Sequence, residues 1–270
     1  MFIKRALITF TLGPLALFLI YKGGLFYFLP ITAVMLLATA EYTRLGQALG
    51  WHLSNWVLIP AVLLQLIAGQ WSEPDLSAPL MAASLLVVLV YILWLYEQER
   101  SQTAPADWLV MMAGILFLGW LGSHFFRLRA IRIDAWQWTM LAMITTWVAD
   151  SAAYVVGKFM AGRIMGKHPL SPRLSPNKTV EGYIGGILFG TGIALTLAHY
   201  FQLPFTPALI LGLFISIIGP AGDLGISLLK REAGVKDSGH LFPGHGGALD
   251  RIDSLVWSVT MAYYLAVFVS

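Results

Sequence analysis

Apolar runs of membrane-spanning length recur along this 270-residue chain from one end to the other, and no soluble fold can hide them. A hydrocarbon core of roughly 30 Å takes a helix of about 20 residues. Runs of about that size lie near 6–21, 25–40, 54–70, 79–96, 108–123, 134–157, 182–201, 206–229 and 249–269. The expectation is an all-α polytopic integral membrane protein with about nine transmembrane helices. The first two runs abut at Lys22-Gly23-Gly24, so tilted or incomplete spans, and a count of eight or ten, stay open.

Composition agrees. Apolar residues make up 58% and charged residues 11%, against roughly 45–50% and about 25% in soluble domains. The net charge of +3 does not point to nucleic acid, because the basic residues sit in short loops and form no polar face. Cysteine is absent, which excludes disulfides, thiolate metal sites and a cysteine nucleophile. Lys4-Arg5 followed by the run Ala6–Tyr21 looks like the first two regions of a signal peptide. No small-residue cleavage site of convincing form follows, so a retained first helix is expected.

Basic loops stay on the cytoplasmic side of a membrane, which places the N-terminus inside. The inner segments then carry Lys4, Arg5, Arg44, Arg100, the five bases in 158–181 and the three in 230–248. The outer loop 71–78 carries Glu73 and Asp75 without a base. Arg127, Arg129 and Arg132 disagree, falling outside; either the fifth and sixth spans are misdrawn or these arginines lie along an interfacial segment. No internal repeat, low-complexity tract or separate soluble domain is evident. Residues 1–130 read as a scaffold of N-terminal helices, with dimer and lipid contacts. Residues 131–270 read as a catalytic region whose chemistry sits in loops 158–181 and 230–248.

Polar residues cluster at those loops. Asp223, Ser227 and Lys230 stand at i, i+4 and i+7, so a carboxylate, a hydroxyl and an ammonium share one helical stripe. An interhelical hydrogen-bond seam would explain them, but an ionisable residue in a span is by default a functional candidate. The segment Lys236-Asp237-Ser238-Gly239-His240-Leu241-Phe242-Pro243-Gly244-His245-Gly246-Gly247 reads as a phosphate cradle: glycines let backbone N–H groups approach phosphate oxygens, and Lys236 offsets charge. Asp250 and Asp253 follow at i and i+3. Carboxylates beside such a loop are the usual protein contribution to Mg²⁺ sites, and Asp223 with Asp250 could hold metal together. An ion pair of Arg251 with Asp253 is the plainer account of those two. Zinc at His240 and His245 lacks a third ligand of the right kind.

The other loop offers Asp150, Tyr154 and Lys158 at i, i+4 and i+8, read as a buried acid leading to a surface base. Pro169, Pro172 and Pro176 forbid a regular helix through 169–176. The bases there suit phosphate and equally suit plain positive-inside anchoring.

Taken together, Ser227-Leu-Leu-Lys230-Arg231, Lys236-Asp237-Ser238-Gly239 and His245-Gly246-Gly247-Ala248-Leu249-Asp250-Arg251-Ile252-Asp253 resemble the signature of the phosphatidate cytidylyltransferases. Asp150-Ser-Ala-Ala-Tyr154 and Ser175-Pro-Asn-Lys178-Thr179-Val-Glu181-Gly182 look like the same family's second block. Before residue 130 the match is a hydrophobic layout, with Glu41 near a family-like acidic position. Asn177 and Val180 depart from the pattern, where glycine and an aromatic are common.

The resemblance implies a dimeric integral enzyme that joins CTP to phosphatidic acid in the membrane lipid, releasing pyrophosphate, for phospholipid synthesis. It implies Mg²⁺, as one ion or two, and leaves room for a monovalent cation. It assigns Asp223 and Asp250 to metal, with Asp253 as a third or outer carboxylate, and Lys230, Arg231 and Lys236 to phosphate. Arg251 orients the acids. Ser175, Lys178, Thr179, Ser227, Asp237, His245, Gly246 and Gly247 are expected at the substrates, and Asp150 and Tyr154 as further polar groups in the membrane. The expected place is a bacterial cytoplasmic membrane, with the active site facing the cytoplasm. CDP-alcohol phosphotransferases also use membrane-surface aspartates, but their Asp-Gly, Ala-Arg and paired-aspartate pattern is missing. A transporter would scatter its charges at mid-membrane depth rather than at helix ends.

Overall fold

Hydrocarbon offers no hydrogen-bond partners, so a chain this apolar satisfies its amides inside helices. The computed structural model describes residues 13–71, 75–160, 168–241 and 246–269. Its helices are α1 (Gly13–Lys22), α2 (Gly24–Ala48), α3 (Asn55–Gln70), α4 (Ser77–Glu97), α5 (Ala104–Gly114), α6 (Gly122–Ala130), α7 (Ala135–Phe159), α8 (Val180–Phe201), α9 (Phe205–Glu232), α10 (Leu249–Ile252) and α11 (Leu255–Val269). A π-helical turn over Ile115–Leu121 joins α5 to α6 without a break. Seven helical segments among the described residues are long and apolar enough to cross a membrane, and Gly13–Lys22 and Asn55–Gln70 are shorter apolar helices. These nine segments fall on the nine runs of the sequence. The first part of the first run, 6–12, and Lys4 and Arg5 ahead of it, lie outside the described residues, as does Glu73.

The chain divides into two compact units, Met1–Ala130 with Leu229–Ile252, and Ile131–Leu228 with Asp253–Ser270. In the first, Met35, Leu58, Leu66, Met111, Ile115, Leu118 and Leu128 are fully buried. Gly122 sits so close to Met35 that a Cβ there would overlap the thioether, which lets α6 approach α2. On α4, Leu86, Val87, Val90 and Leu93 are exposed, the face a membrane helix turns to lipid.

The fifth span is longer than its apolar run: the helix continues from Ala104 to Ala130 and carries Arg127 and Arg129 on its last turn. Both have partners at that end of the unit. Arg127 pairs with Asp75 of the 71–78 loop at 2.8 Å, and Arg129 donates to the terminal carbonyls of α1, Ile20 O at 2.8 Å and Tyr21 O at 3.0 Å. These arginines tie helix ends of the first unit together.

In the second unit α7 packs along α8 through small residues. A Cβ on Gly182 would lie 2.5 Å from Ala153 O, and one on Gly190 would lie 2.8 Å from Ala149 Cβ, so the backbones meet where side chains are missing. α11 joins α7 through Thr146 Oγ1 and Ser258 Oγ, 2.7 Å apart. Where the prolines exclude helix, residues form an antiparallel hairpin, β1 (Pro169–Ser171) against β2 (Ser175–Thr179). Thr179 then starts α8, its hydroxyl accepting the Gly182 amide at 3.1 Å.

Candidate functional site

Each unit holds one of the two polar groupings. In the first unit, the last turn of α9 brings Lys230 to Asp250 at the start of α10, in a close ion pair whose side chains are 8% and 7% exposed. A pair so buried survives only if its remaining lone pairs are satisfied. Asp250 Oδ2 accepts the amides of Ser238 and Gly247, both at 2.9 Å, and stands 3.0 Å from the Ser238 hydroxyl.

Behind this pair lies Glu41, on α2 and 6% exposed. An acid inside a membrane span costs about 2.5–3.5 kcal/mol on insertion scales, so it persists only with partners. Its Oε1 accepts the Ala248 amide at 3.0 Å, and its Oε2 accepts the Leu249 amide at 2.9 Å and the Ser238 hydroxyl at 2.7 Å. Gly239 and Gly247 are glycines for this reason, since a Cβ at either would overlap the Glu41 carboxylate. The amides of Gly247, Ala248 and Leu249 therefore face carboxylates of the protein itself. Gly246 has φ +79°, a conformation that favours glycine.

In the second unit, Lys178 of β2 reaches Asp223 on α9 at 2.7 Å and the Pro220 carbonyl at 3.4 Å. Tyr183 donates to another carbonyl of α9, Ile217 O, at 3.0 Å. Ser227 donates to Asp223 Oδ1 at 3.2 Å. The Asp223 side chain is 37% exposed and Lys178 26% exposed, so this pair is open to a ligand as the Lys230–Asp250 pair is not.

Lys236, Asp237, His240, Arg231 and Arg251 are exposed. Arg231 also donates to Val235 O at 3.3 Å. Asp253 is buried, its Oδ1 accepting the Ser254 amide at 2.7 Å. Ser175 ends the hairpin register opposite Ser171, and Thr179 is spent as the α8 cap. Asp150 is exposed and is not the buried acid that the spacing suggested; the face α7 buries runs through Leu141, Ala142, Thr145, Thr146 and Ala149, beside it. Tyr154 is exposed as well, its hydroxyl 3.2 Å from Lys158 Nζ. His245 lies outside the described residues, and among the described residues no three His, Asp or Glu side chains gather as a metal cluster.

Two partners had no role assigned from the sequence: Glu41, noted only as near a family-like acidic position, and Ser238, noted only as part of the signature. An acid in the middle of an apolar run was the available signal for Glu41. Nothing in the spacing tells which of the loop's side chains it meets, since the contact spans roughly two hundred positions of chain.

The profile of the cytidylyltransferase family matches residues 3–269. The chain is 34% identical over 271 residues to the phosphatidate cytidylyltransferase of Bacillus subtilis (strain 168), covering 97% of each chain. It is 32% identical to the protein of that name from Staphylococcus epidermidis, over 92% of this chain and 93% of that one. With Staphylococcus haemolyticus the identity is 31%, over 90% and 95%. A match from near the first residue to near the last, on a chain whose polar groups gather at helix ends, places it plainly: the chain belongs to the cytidylyltransferase family.

Proposed function

We propose that this chain is a phosphatidate cytidylyltransferase, transferring CMP from CTP to phosphatidic acid. The full-length likeness to relatives of that name carries the reading. The polar groupings suit it. A phosphate oxygen of phosphatidic acid bonds to the α-phosphorus of CTP, the bond from that phosphorus to the β-phosphate oxygen breaks, and pyrophosphate leaves with the electron pair. Such a step needs alignment and charge neutralisation, and no covalent nucleophile. Exposed Lys236, Arg231 and Arg251 of the first unit suit phosphate oxygens, and so does Lys178 of the hairpin in the second.

A divalent ion, Mg²⁺ in this reading, supplies further positive charge at the phosphates. The residues present fit it unevenly. Asp223 is open to solvent and spends its oxygens on one lysine and one hydroxyl, which leaves lone pairs for a metal. Mg²⁺ commonly takes one or two carboxylates and completes its shell with water and substrate phosphate, so no cluster of three acids is needed. Asp250 is held in a buried pair, with Oδ1 on Lys230 and Oδ2 on two amides, and Asp253 is buried with its Oδ1 on the Ser254 amide. In this proposal Asp223 is the metal carboxylate, and Asp250 keeps Lys230 and the loop in place. The basic loops 158–181 and 230–248 favour a cytoplasmic-facing site in a bacterial inner membrane, and the family resemblance favours a homodimer.

The test is direct. Purified full-length protein in detergent, given labelled CTP, phosphatidic acid and Mg²⁺, is expected to form CDP-diacylglycerol and pyrophosphate in equal amounts. Chelation should stop it and added Mg²⁺ restore it. A folded protein that forms no product at any Mg²⁺ concentration would overturn the reading.

A further inference from the structure

We propose that Glu41, on a helix of the N-terminal scaffold, is a positioning residue for the reaction, holding the segment that orients Asp250 and Lys230. The inference rests on the reaction proposed above, and its observations stand apart from it. Three donors converge on this one carboxylate, the Ser238 hydroxyl and the Ala248 and Leu249 amides, at 2.7 to 3.0 Å. They come from both sides of residues 242–245, so Glu41 clasps the two flanks of the loop at once. Ser238 links the clasp to the ion pair. Its hydroxyl has one proton and lies nearer Glu41 Oε2, at 2.7 Å, than Asp250 Oδ2, at 3.0 Å. Donating to Glu41 leaves the Ser238 amide aimed at Asp250 Oδ2, beside the Gly247 amide. The position of Asp250, and of the lysine paired with it, is therefore set by an acid some two hundred residues earlier in the chain. Gly239 and Gly247 hold no Cβ because the acid comes that close.

Glutamine at position 41 has the right shape and the wrong chemistry. Its amide group would present N–H to at least one of the donors that the carboxylate accepts. In Glu41→Gln, kcat is expected to fall about 10²-fold, the scale of a displacement of roughly 1 Å at a reacting site, while KM for CTP stays within about twofold. Hydrogen exchange on the whole protein in detergent should quicken at Ser238, Ala248 and Leu249 and stay unchanged in α3 to α5. A kcat within about threefold of wild type, or unaltered exchange at those amides, overturns the proposal. Should Glu41→Gln not survive extraction, Ser238→Ala carries the test, because it cuts the link between clasp and ion pair and leaves Glu41 and the backbone intact. There a kcat loss of about tenfold at unchanged KM supports the proposal, and no loss overturns it. If wild type makes no product yet exchange still quickens in Glu41→Gln, the reaction is wrong and the hold of Glu41 on the loop stands.

Discussion

Asp223 and Asp250 have the same side chain and one lysine each, yet they are held in opposite ways. Asp250 is 7% exposed, and every oxygen it has is taken by a donor of its own unit. Asp223 is 37% exposed and meets Lys178 and a single serine hydroxyl. Burial decides what each can do. A buried carboxylate with full hydrogen bonding is rigid and costly to disturb, so it suits holding a loop in place. A half-open carboxylate loses little by exchanging one partner for a metal or for water, so it suits a ligand.

The difference can be broken most sharply by removing one charge at a time. Asp250→Asn would leave Lys230 charged, buried and unpaired, and should cost about 3–5 kcal/mol of stability. Asp223→Asn leaves Lys178 within reach of water and should cost no more than about 1 kcal/mol, while turnover falls on the order of 10²–10³-fold. Denaturant unfolding in detergent, run beside the CDP-diacylglycerol assay, reads both quantities on the same preparations. Equal stability losses in the two variants would erase the distinction drawn here.

Much of this could be read in advance, and the rest has a physical reason for being hidden. The helices were legible because hydrocarbon leaves no alternative to them, and the described part of each apolar run is helical, the last one broken at Asp253-Ser254. The end of α6 was not, since Arg127 and Arg129 look like loop residues until Asp75 and the α1 carbonyls are seen opposite them. The exposure of Asp150 was missed because helical spacing ranks residues by stripe and cannot say which stripe a neighbour covers. At the candidate site, Lys230, Asp250 and the glycines were legible as chemistry. That the glycine amides face Glu41 and Asp250 was not, because donors and acceptors meet across a contact of long sequence separation.

How the helices of the second unit are held can be sharpened by a pair of glycines on α8. Gly190 faces Ser216 and Ala149 with no room for a Cβ, whereas nothing lies within 4 Å of the place where Gly192 would carry one. Gly190→Ala should therefore lose about 1–3 kcal/mol by forcing α7 and α9 off the α8 backbone. Gly192→Ala should be neutral or gain up to about 1 kcal/mol through helix propensity. Unfolding midpoints of the two variants measured side by side give the answer. If both shift alike, close backbone packing is not what holds the second unit.

The smallest effect belongs to an ion pair that is neither buried nor saturated. Asp75, with its side chain 58% exposed, is held down to a pKa of about 2 by the hydrogen bond from Arg127 first and those from Ser77 next. A carboxyl whose folded pKa lies below its unfolded value of about 3.9 adds stability above that value, and the contribution disappears as pH falls through about 2. Exposure and salt screen it, so Asp75→Asn should cost at most about 0.5–1 kcal/mol at neutral pH. Raising salt toward 1 M, where the Debye length shrinks to roughly 3 Å, should shrink that cost further, and should leave the loss from Asp250→Asn almost as it was. Unfolding of both variants against wild type at low and high salt separates the two kinds of pair. A salt-insensitive loss at Asp75 would mean that Arg127 is anchored there by packing, with the charge contributing little.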